Sequence, residues 1–184
     1  MFKGHKHTPF AKISPAYAHN SITCTAPSKT FNLAGLQTST IIIPNKKYYK
    51  IYQNILDSLT LNENNVFGLV ALESAFRYGE EWLEQLLTYL KTNLEFLSRY
   101  FRENIPKIKV IKPEGTYLIW LDCRQLGLNV QDLNNLMINK AKVALDDGCW
   151  FGIGGEGFMR INIACPRSML EEGLKRIERA VNSM

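Results

Sequence analysis

Thr25-Ala26-Pro27-Ser28-Lys29-Thr30-Phe31-Asn32-Leu33-Ala34-Gly35-Leu36-Gln37 joins two runs rich in β-branched residues, 21–25 (SITCT) and 38–43 (TSTIII). Such runs favour strands, and Pro27 and Pro44 stop them, because proline restricts its predecessor and donates no ladder hydrogen bond. The connection passes from polar to apolar and sets Lys29 among the hydroxyls of Thr25, Ser28 and Thr30. An amine attacks an aldehyde only when it is partly neutral, which burial or a nearby cation achieves. Small hydroxyl residues at a strand end suit phosphate oxygens. On these residues alone two readings stay open: an exposed loop lysine, and a reactive amine beside a phosphate site.

Outward from this string the chain divides by texture. Residues 1–20 read as an irregular segment broken by Pro9 and Pro15. Residues 46–58 make a helix with Tyr48, Ile51, Tyr52 and Ile55 on one face, and 67–76 a second helix. The strongest periodicity covers 80–104, where Leu83, Leu86, Leu87, Leu90, Leu94, Leu97 and Phe101 recur at steps of three and four. At 1.5 Å per residue that helix approaches roughly 40 Å, long enough to join two domains. After Pro106 come strands over 107–112 and 116–123 around the turn Pro113-Glu114-Gly115. An amphipathic helix over 130–145 (Val130, Leu133, Met137, Ala141, Ala144) and a strand over 158–164 follow. Ser168 and Glu171 have capping-box spacing and open a last helix, with Leu170, Leu174, Ile177 and Val181 inward. The order β-β-α-β-α is that of helices packed on a small sheet.

Charge is distributed unevenly. Among 184 residues the formal net charge is +5, yet the first 50 carry seven lysines (Lys3, Lys6, Lys12, Lys29, Lys46, Lys47, Lys50) and no Asp or Glu. A one-signed segment suits a phosphate-bearing ligand or an acidic partner. The lysines are dispersed among apolar runs without a nucleic-acid-binding motif, which argues against nucleic acid. No apolar run reaches membrane-spanning length and no apolar core follows the basic N-terminus, so a cytoplasmic protein is expected. Cys24, Cys123, Cys149 and Cys165 form no C-x-x-C pair and are expected to be free thiols in or near the core. His5, His7 and His19 have no metal-ligand spacing. The run Gly152-Ile153-Gly154-Gly155-Glu156-Gly157 precedes a strand, not a helix, so it reads as a hairpin or substrate-side loop and not a phosphate loop. Glu80, Glu81 and Glu84 suit a solvated helix start.

Four segments together resemble a known family. The string 25–37 is similar to the cofactor-lysine segment of fold-type I pyridoxal-phosphate (PLP) enzymes, and most similar to the MalY/PatB group of cystathionine β-lyases. His5-Lys6-His7-Thr8-Pro9-Phe10 resembles that group's segment before the lysine strand. Glu114-Gly115-Thr116-Tyr117-Leu118-Ile119-Trp120-Leu121-Asp122 resembles its small-domain strand pair, and residues 157–167 (GFMRINIACPR) its closing strand and helix.

The resemblance implies an α/β fold, the C-terminal portion of the aminotransferase-like architecture. Residues 1–80 would be the end of the PLP-binding large domain, and residues 81–184 a linking helix plus the small domain. It implies Lys29 as catalytic and cofactor-binding lysine, Ser28 and Thr25 as phosphate partners, and Arg160 as the group that binds the substrate α-carboxylate. Arg160 alternates with Met159 and Ile161, and a planar guanidinium among apolar strand residues suits a carboxylate held by two hydrogen bonds. Gln37 departs from the wider fold, where an arginine eight residues after the lysine grips the phosphate. The implied activity is β-elimination from a sulfur amino acid in a homodimeric enzyme, with transamination as the alternative. The family is roughly twice this length, so the chain alone is expected to be an inactive portion or an interaction module.

Overall fold

Strand and helix ends in residues 6–86 are set by local hydrogen bonds from short polar side chains. The computed structural model describes residue 2 and residues 4–184, so Met1 and Lys3 lie outside the described residues. Residues 6–86 form one unit, and residues 1–5 with 87–184 form the other. Instead of staying irregular, the N-terminal stretch makes a 3-10 turn at Phe10–Lys12 and a short helix α1 (Pro15–His19). Pro15 sits in the first turn, where its missing N–H costs nothing, and the Ser14 hydroxyl accepts from the Tyr17 N–H at 3.4 Å. Strands β1 (Thr23–Thr25) and β2 (Thr40–Ile42) pair antiparallel, with Thr23 opposite Ile42 and Thr25 opposite Thr40. They are shorter than the runs that specify them. Asn45 caps α2 (Lys46–Ser58) and Asn65 caps α3 (Val66–Tyr78), each accepting from backbone N–H groups of the first turn.

This unit has almost no interior. Pro27 and Gly68 alone are buried among its residues. Tyr48, Ile51 and Ile55, the α2 face expected to point inward, remain 37%, 49% and 51% exposed.

Helix α4 (Glu80–Asn104) starts here and continues into the second unit, where its row Leu90, Asn93, Leu97 and Phe101 is fully buried. The polar member of that row, Asn93, falls on the leucine spacing and was not expected inside. Strands β3 (Lys109–Val110) and β4 (Leu118–Asp122) pair antiparallel, as the Pro113–Gly115 turn requires. Helix α5 (Val130–Asn135), capped by Asn129, runs into a π-helical turn at Leu136–Lys140. The expected helix to residue 145 ends there: the Ala141 N–H reaches back to Leu136, and Lys142 adopts a left-handed φ of 55°. A strand the sequence did not announce, β5 (Asp146–Asp147), then pairs with β6 (Phe158–Asn162). The sheet order is β3-β4-β6-β5, all antiparallel.

Alternation along β4 and β6 divides the sheet. Ile119, Leu121, Met159 and Ile161 are buried on one face, while Trp120, Phe158 and Arg160 occupy the other. The buried face shares a core with Leu97 and Phe101 of α4 and with Leu170, Leu174, Ile177 and Ala180 of α6 (Arg167–Asn182). Each fully buried side chain of this size contributes about 1.5–3 kcal/mol of transfer free energy. Helix α6 begins before Ser168, with Pro166 at its cap position and no capping side chain of its own. The Tyr89 hydroxyl of α4 instead accepts the free Arg167 N–H at 2.8 Å, so a tertiary contact replaces the expected capping box. Of the cysteines, Cys123 is buried, Cys165 half-buried, and Cys24 and Cys149 exposed, so only Cys123 is a core thiol. Among the described residues no helix is long and apolar enough to cross a membrane.

Candidate functional site

In the first unit the Lys29 segment is a closed turn. The Phe31 N–H donates to the Pro27 carbonyl at 2.9 Å and the Leu33 N–H to the Ser28 carbonyl at 3.0 Å. Asn32 (φ 55°) and Gln37 (φ 49°) take left-handed conformations that let the chain reverse before β2. Phe31 anchors the turn from within, its ring 5.9 Å from both the Phe76 and Trp82 rings. Gly79 makes that slot possible, because a Cβ there would stand 2.5 Å from the Phe31 ring. The turn therefore holds Lys29 and Thr25 exposed and Ser28 half-buried.

Arg160 lies in the other unit, on the central strand β6. Its register sets Trp120 of β4 on one side and Asp146 of β5 on the other. Asp146 Oδ2 accepts from Arg160 Nε at 2.9 Å and from Nη2 at 2.6 Å. The guanidinium also lies 4.5 Å above the Phe151 ring, within cation–π range. Phe151 meets Trp120 edge-on at 5.5 Å, and Trp120 stacks on Phe158 at 5.6 Å. The Arg160 side chain keeps 28% of its surface exposed, so a ligand can reach it. A second arginine, Arg124, stacks over Phe158 at 4.8 Å and grips Asp122 through Nε and Nη2. That guanidinium holds the Asp122 carboxyl below the usual carboxylate range, against a smaller upward push from burial.

The glycine-rich run 152–157 makes a 3-10 turn at Ile153–Gly155, and another 3-10 turn, Gly148–Phe151, precedes it. Asp147 caps the Gly148–Phe151 turn, accepting from the Cys149 N–H at 2.9 Å and from Asn134 Nδ2 at 2.6 Å. Burial pushes the Asp147 carboxyl up, but these hydrogen bonds outweigh it and hold the group below the usual range. Gly148 and Gly155 touch through their backbones; a Cβ on Gly155 would stand 1.9 Å from the Gly148 carbonyl oxygen. Asp146, Phe151 and Trp120 were not expected around Arg160. Trp120 lies in the quoted strand string 114–122, and Asp146 in the Asp146-Asp147-Gly148 run ahead of the glycine-rich stretch, but neither string names Arg160 as a neighbour. A groove of about 1100 Å³ between α4 and β3, lined by Leu94, Arg99, Phe101 and Lys112, includes neither Lys29 nor Arg160.

No protein-family model matches the chain. Cystathionine β-lyase PatB of Bacillus subtilis is 44% identical over 182 residues, which cover 99% of this chain and 47% of PatB. The PLP-bound structure of a Clostridium difficile 630 protein classed as an aminotransferase superposes with a TM-score of 0.96 at 51% identity, covering 98% of this chain and 47% of that one. Cystalysin from Treponema denticola, whose crystal structure contains pyridoxal 5'-phosphate, superposes with a TM-score of 0.90 at 36% identity, covering 99% and 46%. The chain spans about half the length of the curated relatives it matches. Nearly the whole chain is similar to about half of the PatB-type cystathionine β-lyases, and its fold is that of PLP-dependent aminotransferase-fold proteins.

Proposed function

We propose that this chain supplies the lysine and the carboxylate-binding arginine of a PLP-dependent carbon–sulfur β-lyase. The whole enzyme would cleave a sulfur amino acid such as cystathionine to pyruvate, ammonia and a thiol. The observation that carries this reading is the 44% identity to PatB along nearly the entire chain. Residues 1–80 would complete a PLP-binding large domain, residues 81–184 would form the linking helix and small domain, and the enzyme would work as a cytoplasmic homodimer.

The residues fit such a cofactor. The Lys29 amine is exposed on a pinned turn, one residue from the Ser28 hydroxyl and just after Thr25 at the end of β1. Lys29 Nζ would anchor the cofactor's aldehyde carbon, and the Ser28 and Thr25 hydroxyls would donate to its phosphate oxygens. When bound, PLP supplies an electron sink for the pair left on the substrate Cα. Lys29 Nζ, released by the incoming substrate amine, would take the Cα proton, so one side chain serves as anchor and base. Arg160 would hold the substrate α-carboxylate with its planar guanidinium.

Transamination is the second reading, favoured by the Clostridium difficile neighbour classed as an aminotransferase. It shares the Lys29 proton transfer and differs in where the proton returns. The experiment is borohydride reduction of the PLP-loaded full-length protein with peptide mapping, beside product analysis with cystathionine. Label on Lys29 and pyruvate release support the lyase. Label on Lys46 or Lys47 overturns the Lys29 assignment, and a keto acid that retains the substrate carbons favours transamination.

A further inference from the structure

The Arg160 guanidinium has two edges that can each grip a carboxylate. The Nε–Nη2 edge is taken by Asp146 Oδ2, at 2.9 and 2.6 Å. Among the described residues the terminal Nη1–Nη2 edge makes no hydrogen bond beyond the one that Nη2 gives Asp146. Phe151 covers one face of the plane at 4.5 Å, and Trp120 meets Phe151 at 5.5 Å. Rotation about the Cδ–Nε bond would break the contacts with Asp146 and Phe151 together. The adjacent acids divide the labour. Asp146 holds the edge, while Asp147 caps the turn that carries Phe151.

We propose that Asp146 is a positioning residue, holding Arg160 by its Nε–Nη2 edge so that the Nη1–Nη2 edge meets a ligand carboxylate end-on. This rests on the reading of Arg160 as the carboxylate-binding residue. A long, flexible arginine left unheld would have to be ordered by each incoming ligand, and that ordering weakens binding. Asp146 has already ordered it. The opposite role is also physically available: Asp146 could act as a counter-charge that the ligand must displace. The two roles predict opposite signs.

The test uses the PLP-loaded full-length protein with Asp146→Ala, Asp146→Asn and Arg160→Ala. Asp146→Ala removes the acceptor, whereas Asp146→Asn keeps an oxygen in the same place without the charge. Positioning predicts that Asp146→Ala raises KM for the amino acid about tenfold, with kcat moved far less, and that Asp146→Asn restores most of the loss. The NMR signal of the Arg160 Nε–H, protected in the parent protein, should disappear in Asp146→Ala and persist in Asp146→Asn. Arg160→Ala should raise KM further while PLP affinity holds. A lowered or unchanged KM in Asp146→Ala, with Arg160→Ala still impaired, overturns the positioning role alone. An unchanged KM in Arg160→Ala removes the carboxylate reading and the proposal with it.

Discussion

Arg167 donates its Nε–H to the side-chain oxygen of Asn93 at 2.8 Å, and Asn93 has no solvent exposure. The same amide donates to the carbonyls of Ile163 at 2.8 Å and Cys165 at 3.0 Å. A single side chain on α4 thus fixes the segment from β6 to α6, and Arg167 rests 4.5 Å over Phe96. Asn93→Ala strands the buried Ile163 carbonyl and the half-buried Cys165 carbonyl and leaves the Arg167 Nε–H without its acceptor. It should destabilise the protein by about 2–4 kcal/mol, seen as a lowered urea midpoint. Asn93→Leu should not recover this loss, although leucine matches the spacing of the row.

The thiols separate by environment. Burial, with a smaller contribution from the Asp122 carboxylate, pushes the Cys123 thiol up to about 12. It should stay unmodified by thiol reagents at neutral pH until the protein unfolds. Cys24 and Cys149 are exposed and should be labelled in the native state, with Cys165 slower. Mass mapping after a short exposure reads the order; early label on Cys123 would contradict the packing of β4.

Tyr100 of α4 hydrogen-bonds Glu178 of α6. Burial first, then that bond and the carboxylate charge, push the phenol up to about 12 from its ordinary 10. The fold therefore favours the protonated phenol. Its contribution is fully present below pH 10 and is lost as pH rises through about 12. Denaturation midpoints across this range should fall more steeply for the parent than for Tyr100→Phe. The phenylalanine variant should itself cost about 1 kcal/mol at neutral pH.

Gly155→Ala brings a Cβ to 1.9 Å from the Gly148 oxygen and 2.4 Å from its carbonyl carbon, both backbone atoms. One of the two turns has to shift. The expected cost is about 1–3 kcal/mol in urea unfolding. Phe151 belongs to the first turn, so the Arg160 Nε–H signal should move with it.

What could be read from residue order was local. The strands around Lys29 stand between prolines, and the α4 and α6 rows repeat at helical steps, so both follow from short-range chemistry. Asn93 could not be read, because a polar residue within a leucine row is assigned outward until its three partners, about 70 positions away, are known. Strand β5 has two residues, too few for any alternation, and exists because β6 pairs with it. Arg160 could be singled out from its own strand. Its holder, Asp146, depends on cross-strand register, which no spacing rule states.

The near absence of interior in residues 6–86 has a calorimetric consequence. Heat uptake on unfolding scales with the residues that lose packed structure, at about 0.7 kcal/mol per residue near 60 °C. If only residues 1–5 and 87–184 melt cooperatively, a scan of this chain should show one peak of about 70 kcal/mol. A chain that melted throughout would give about 130 kcal/mol. Under the proposed function, addition of a polypeptide that supplies the rest of the large domain should raise that enthalpy out of proportion to the residues it contributes, because it would recruit the Lys29 turn and its strands into the same transition.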